Sequence, residues 1–386
     1  MKTDTPISRR NFLMGAATGV CAGLFGAMGL YSYTSSAYRQ LPKAQRKFED
    51  FGACRRVKVT NISETSWFSN AVLMGDIQAA GGLLVNQYTI GWPPFGNGKG
   101  IAKASYESGI ASIRNMLPGN IAEAWEIQKK LGLHPDNPGG FSALVEVEGL
   151  DGVVHKYLLD SGWSFEWMDQ AFKREKIDQM LAAREIEGLF LSHEHWDHFW
   201  GFPVTMKYDN RLPVYVHDGY YKEGLQYIKD SGYKGNLDIQ RSTLKRIMPG
   251  MVVVKYDVPI INRVFGETSL AFNVKDKGLV LVSGCCHQGI LQCTDYVRTN
   301  LKYDKDQFHG IYGGLHISPF EDWDPKYDDL VIALGDYGFE RIGCNHCTGH
   351  LTAKKFVAAG YPVVRGTARF RSSSPDYLGN GDTIEF

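Results

Sequence analysis

The chain lacks charge bias. Its 386 residues carry 42 Lys and Arg against 42 Asp and Glu, a formal net charge of +0 at pH 7. That removes any general electrostatic pull toward nucleic acid or an acidic membrane surface, so nucleic acid is not an expected partner. No internal repeat is visible. Neither a Gly-rich phosphate loop nor an activated serine motif is evident. A second Cys-x-x-Cys pair is missing, so the lone spacing of Cys344 and Cys347 gives little support for a zinc ribbon. Histidine is scarce, with 11 in the whole chain. What remains is ordinary globular composition, 44% hydrophobic and 22% charged. The length suits one large or two ordinary domains.

Against that scarcity, His193, His195, Asp197 and His198 crowd into one short stretch, directly after the apolar run Gly188-Leu189-Phe190-Leu191. The run reads as a short buried strand, and its carboxyl end is where open α/β sheets keep their sites. While the chain stays extended, His193 and His195 point the same way. Asp197 and His198 follow as it turns into a helix, and can face the same space. Such a set suits one divalent cation, or two sharing a cavity. His-x-His-x-Asp-His is far denser than chance would supply.

His193-x-His195-x-Asp197-His198 resembles the signature of the metallo-β-lactamase superfamily. Ser283-Gly284-Cys285-Cys286-His287, Gly313-Gly314-Leu315-His316 and His346-Cys347-Thr348-Gly349 resemble one branch of it. That branch includes ribofuranosylaminobenzene 5′-phosphate (dihydropterin) synthases alongside metal-dependent hydrolases. The resemblance runs from about Arg55 onward. It implies an α/β fold, a four-layer αβ/βα sandwich in which two mixed sheets face each other, helices lie outside and metal sits at one edge. It also implies that His346 joins Asp197 and His198 around a second metal, and that Asp160 supports the metal loop. Cys285 stands where the superfamily commonly has a bridging Asp. It either ligates as a thiolate or packs inertly beside the ligand His287. The usual third histidine motif is replaced by Gly266-Glu267-Thr268, so either Glu267 supplies a carboxylate or His287 takes over. His316 is expected at the cleft, binding substrate phosphate or acting as an acid, or else as a rim histidine on a flexible turn.

The N-terminus reads as an address. Arg9-Arg10 before a mildly apolar, Gly- and Ala-rich run over residues 14–30 resembles a twin-arginine export signal. The run is near spanning length, so an uncleaved anchor stays open. Four regions follow: a signal or anchor over 1–37, a spacer and first core strand over 38–62, an insertion over 63–138, and the remaining core over 139–386. The insertion carries a Gly-, Pro- and aromatic-rich loop (92–98) and a helical stretch (121–128), and either lies over the site or is a surface excursion without a role there. Residues 141–159 alternate as a hairpin, 166–186 read as one amphipathic helix, and His217 ends a short strand as a core or rim histidine. Export would permit Cys344 and Cys347 to oxidise.

The functional expectation is an exported, periplasmic metal-dependent hydrolase with a small-molecule ester, lactone or phosphoester-type substrate. Two divalent ions, zinc first and manganese or iron as alternatives, would hold a shared water as hydroxide near neutral pH. His193, His195 and His287 would take one ion, and Asp197, His198 and His346 the other. Asp197 would also steer the hydroxide. The rivals are a phosphoribosyl-type synthase or transferase on the same fold, and a metal-binding protein without catalysis. The twin-arginine machinery is the expected export partner, with the membrane a partner only if the signal stays uncleaved.

Overall fold

Alternation at the start of the core becomes strand β1 (Arg56–Ser63), with Val57 and Val59 buried and Arg56 and Lys58 at the rim. Its partner β2 (Ser142–Glu148) turns at Gly149–Gly152 into β3 (Val154–Leu159), the expected hairpin. This computed structural model describes residues 50–64, 139–260, 264–319, 323, 326–372 and 374–386. The signal over 1–37, most of the spacer and, from residue 65, the insertion with its loop and helix lie outside the described residues. Ser63 itself ends β1.

Next come helices α1 (Phe165–Arg174) and α2 (Ile177–Ala182), then β4 (Ile186–Phe190). The single helix expected over 166–186 is therefore two. Lys176 adopts the left-handed region at φ 60, which ends the first helix. Met168, Phe172, Ile177 and Leu181 still face one core cluster, so the apolar period survives the break. Helices α3 (Trp196–Phe199) and α4 (Phe202–Tyr208) precede β5 (Val214–His217), α5 (Lys222–Asp230) and β6 (Leu237–Gln240).

The second sheet begins with β7 (Leu244–Met248), β8 (Met251–Ile260), β9 (Val264–Val274) and β10 (Gly278–Ser283). It continues through α6 (Ile290–Asn300), β11 (Phe308–Gly314), α7 (Lys326–Gly335), β12 (Arg341–Asn345) and α8 (His350–Ala358). Gly313 and Gly314 thus close a strand, not the flexible turn expected. A Cβ on Gly313 would lie 1.8 Å from the Ser283 carbonyl oxygen, so only glycine lets β11 run beside β10 here. Finally β13 (Thr383–Glu385) returns to pair antiparallel with β1.

The strand orders are β13-β1-β2-β3-β4-β5-β6 and β12-β11-β10-β9-β8-β7. Both sheets are mixed: β3 to β6 run parallel, as do β10 to β12, and the other neighbours are antiparallel. Between them lies an apolar layer that includes Val57, Val145, Phe190, Phe272, Val282 and Tyr312. Phe172, Phe199 and Phe202 cover the outer face of the first sheet, and Ile290, Leu334 and Phe356 that of the second. The order of layers is therefore helix, sheet, sheet, helix, as expected. Among the described residues no helix is long and apolar enough to cross a membrane.

Candidate metal centre

Five strands deliver the site from their carboxyl ends. The loops after β3, β4, β10, β11 and β12 carry Asp160, the 192–198 cluster, Cys285 and His287, His316, and His346 with Cys347.

Asp160 organises the first loop. Its carboxylate accepts the Ser192 backbone N–H at 2.6 Å, the Ser192 hydroxyl at 2.7 Å and His198 Nδ1–H at 2.7 Å. Because the Ser192 hydroxyl has spent its proton on Asp160, it accepts one from His193 Nδ1, 2.8 Å away. This chain of donors fixes both tautomers. Protons sit on the Nδ1 atoms, and the bare Nε2 atoms of His193 and His198 point into the site. His193 Nε2 stands 3.0 Å from His195 Nδ1, and His198 Nε2 stands 3.0 Å from His346 Nε2. Two nitrogens held tetrahedrally by one zinc stand about 3.3 Å apart.

A second carboxylate shapes the facing loop. Glu267, on β9, accepts the N–H groups of Cys285, Cys286 and His287 at 3.1, 3.0 and 2.7 Å. Burial raises its carboxyl, and these amides oppose the rise. Glu267 is thus a loop clamp, and among the described residues it belongs to no candidate donor group. His287, not Glu267, joins His193 and His195 as a candidate donor.

The donors gather as the sequence suggests. His193, His195 and His287 form one group and Asp197, His198 and His346 another, with the donor atoms of each group within 4.8 Å of one another. Burial, then neighbouring imidazoles, holds His193, His198 and His316 well below their ordinary range, and His287 and His346 down to about 3. These rings are neutral lone-pair donors. Burial pushes the Asp197 carboxyl up to about 7. Buried His287 Nε2 lacks a hydrogen-bond partner, while its Nδ1 faces Glu267 Oε2 at 3.4 Å; an orphaned Nε2 costs stability unless something else binds it. The donor set fits divalent ions on that observation and on its mixture of imidazole, carboxylate and thiol.

His316 packs against His287 with ring centroids 4.4 Å apart, is partly exposed, and lies outside the donor groups. Its Nδ1 has no hydrogen-bond partner. His217 ends β5 as a buried histidine accepting the Gly219 N–H, also outside the donor groups. Cys285 lies within the site, 3.2 Å from His198 Nε2. The pairing of Cys344 with Cys347 does not occur: Cys344 packs in the outer apolar core, and all six described cysteines are free. Cys347 instead stands 3.3 Å from Cys285 Sγ. Sequence reasoning overlooked this contact, and also Ser192 as the proton relay. The only cue to Cys347 was its place directly after His346.

No family model matches the chain. The 7,8-dihydropterin-6-methyl-4-(beta-D-ribofuranosyl)-aminobenzene-5′-phosphate synthase of Methanocaldococcus jannaschii is 24% identical over 259 residues, covering 56% of this chain and 83% of that protein. A solved metal-dependent hydrolase of the beta-lactamase superfamily is 19% identical, with a TM-score of 0.46 over 64% of this chain and 91% of the other. A metallo-beta-lactamase fold protein from Bacillus subtilis is 12% identical, with a TM-score of 0.42 over 64% of this chain and 92% of the other. The chain is thus similar, at a distance, to proteins of the metallo-β-lactamase superfamily.

Proposed function

We propose that the protein is an exported metal-dependent hydrolase of a small ester, lactone or phosphoester-type substrate. One observation carries this reading: two donor groups, buried His193 with His195 and His287, and part-exposed Asp197 with buried His198 and His346, adjoin in one site. Divalent ions held there would supply Lewis acidity and a water of lowered pKa. The chain's own residues do the rest. Asp160 and Ser192 keep protons on the far nitrogens of His198 and His193, leaving Nε2 to bind. Glu267 fixes the backbone that carries His287. Asp197 is the candidate to orient the attacking water. His316 is the candidate to bind a substrate oxyanion through a neutral imidazole N–H, supported by its partnerless Nδ1.

Export follows from Arg9-Arg10 and the apolar run behind it, through the twin-arginine route, which carries folded proteins. Similarity to the dihydropterin synthase favours a second reading, a synthase or transferase on a phosphoribosyl substrate. Purified full-length protein, its metal content measured, is offered phosphodiesters, lactones and phosphoribosyl donors. Hydrolysis abolished by chelation and restored by zinc, manganese or iron is expected. Pyrophosphate release from a phosphoribosyl donor without hydrolysis would establish the second reading, and metal-free inert protein would end both.

A further inference from the structure

Two sulphurs stand among the nitrogens. Cys285 Sγ is 3.2 Å from His198 Nε2 and 3.3 Å from Cys347 Sγ. The donor atoms of Cys285, His346 and Cys347 lie within 4.8 Å of one another, as do those of His193, His198 and Cys285. His198 and His346 already meet through their Nε2 atoms. Other cysteines behave differently: Cys286, Cys293 and Cys344 pack in the outer apolar core, and Cys54 between the sheets. Room for Cys347 depends on Gly314, since a Cβ there would come within 2.6 Å of Cys347 Sγ and 3.2 Å of His346 Cδ2.

We infer that Cys285 and Cys347 are thiolate ligands which, with His198 and His346, make a soft position of two nitrogens and two sulphurs, so that Asp197 stands beside this ion to orient water and is not one of its four ligands. The inference rests on the metal-dependent reading above and deepens it by naming the class of metal. Two sulphurs bound tetrahedrally at about 2.3 Å from zinc stand roughly 3.8 Å apart, so the observed pair need open by only about half an ångström. On metal entry each S–H bond breaks, its electron pair goes to the ion and its proton to solvent, two protons per ion. Thiolates select zinc or ferrous iron over manganese or magnesium. They also make the two positions unequal: the one built from His193, His195 and His287 has neutral ligands and is the stronger Lewis acid. The competing account is a thiol hydrogen bond from Cys347 to Cys285 with no metal contact.

The test uses full-length protein loaded separately with zinc and with cobalt. X-ray absorption of the zinc form is expected to show sulphur at about 2.3 Å beside nitrogen and oxygen at about 2.0–2.1 Å. The cobalt form is expected to show a near-ultraviolet thiolate-to-metal band, reduced by roughly half in Cys347→Ser and in Cys285→Ser. Bound metal with only nitrogen and oxygen neighbours, and no such band, overturns the inference while leaving the hydrolase reading intact. Failure to bind either metal overturns both. Should Cys347→Ser not fold, X-ray absorption on the unaltered protein decides alone.

Discussion

Replacing Asp160 with asparagine keeps the side chain's shape and changes what it can accept. The wild-type carboxylate takes three hydrogen bonds, from Ser192 N–H, the Ser192 hydroxyl and His198 Nδ1–H. A backbone N–H cannot reverse, so the asparagine oxygen stays on Ser192 N–H and its NH2 turns toward His198 Nδ1. That nitrogen must then accept, which moves the imidazole proton to Nε2. Nε2 is the atom aimed at His346 and Cys285. Loss of such an orienting partner typically costs 10–100-fold in metal affinity, about 1.4–2.7 kcal/mol. Losing one charge-assisted hydrogen bond costs the metal-free fold about 1.5–3 kcal/mol, and burying an amide in place of a carboxylate recovers part of that. Zinc competition against a chelator reads the first quantity, and melting with and without chelator reads the second. The expected result is a large loss of zinc affinity with a smaller change in the metal-free melt. A variant that holds zinc within about twofold of wild type would refute the tautomer argument.

Glu267→Ala leaves three buried N–H groups without their acceptor. Urea unfolding should show a loss of about 3–5 kcal/mol, and a loss below about 1 kcal/mol would contradict the clamp. Gly284→Ala would put a Cβ 2.7 Å from Ser192 Oγ and 2.8 Å from Asp160 Oδ2. Equilibrium dialysis should find its zinc affinity at least about tenfold weaker; unchanged affinity would mean the loop yields freely. Asp169 tests pH dependence away from the site. Burial opposes its ionisation, but hydrogen bonds from Lys173, Lys207 and Tyr208 outweigh that and hold its carboxyl well below the usual range. Its stabilisation is therefore full above the unfolded value, about 3.9, and fades as pH falls through the lower folded value. Asp169→Asn should melt a few degrees below wild type at pH 7, with the gap closing in acid; a gap that widens in acid would reverse the sign of the argument.

Much of the site was legible because its densest part is local. Strand, extended loop and helix start all follow from residues 188–199, and β4 and α3 fall there. His287 and His346 came from resemblance, since nothing local joins positions so far apart. Glu267 was ambiguous in sequence because a carboxylate can bind metal or amides equally well, and only the β9 pairing brings it under residues 285–287. Cys344 and Cys347, which the sequence would permit to oxidise, part for a local reason. His346 takes a positive φ of 50 at the end of β12, and the turn that follows carries Cys347 toward Cys285 while Cys344 stays in the core. Strands β6 and β7 escaped notice because they are short, polar edges. Lys245 of one pairs with Asp238 of the other across that margin; β6 alternates over only four residues and leaves Ile239 exposed, and β7 breaks its alternation at Lys245-Arg246.

Each nitrogen- and carboxylate-based group draws donors from both halves of the sandwich: His193, His195, Asp197 and His198 follow β4, whereas His287 follows β10 and His346 follows β12. An ion seated there would act as a rivet across the seam between the two halves. Its removal would do more than empty a pocket, because binding energy that favours the closed seam is lost with it. Amide hydrogen exchange should then quicken at the rivet's end of the strands, around Ser161, Ser192 and Cys285. It should stay slow where Val57 and Phe272 hold the opposite stretch of the seam shut without help.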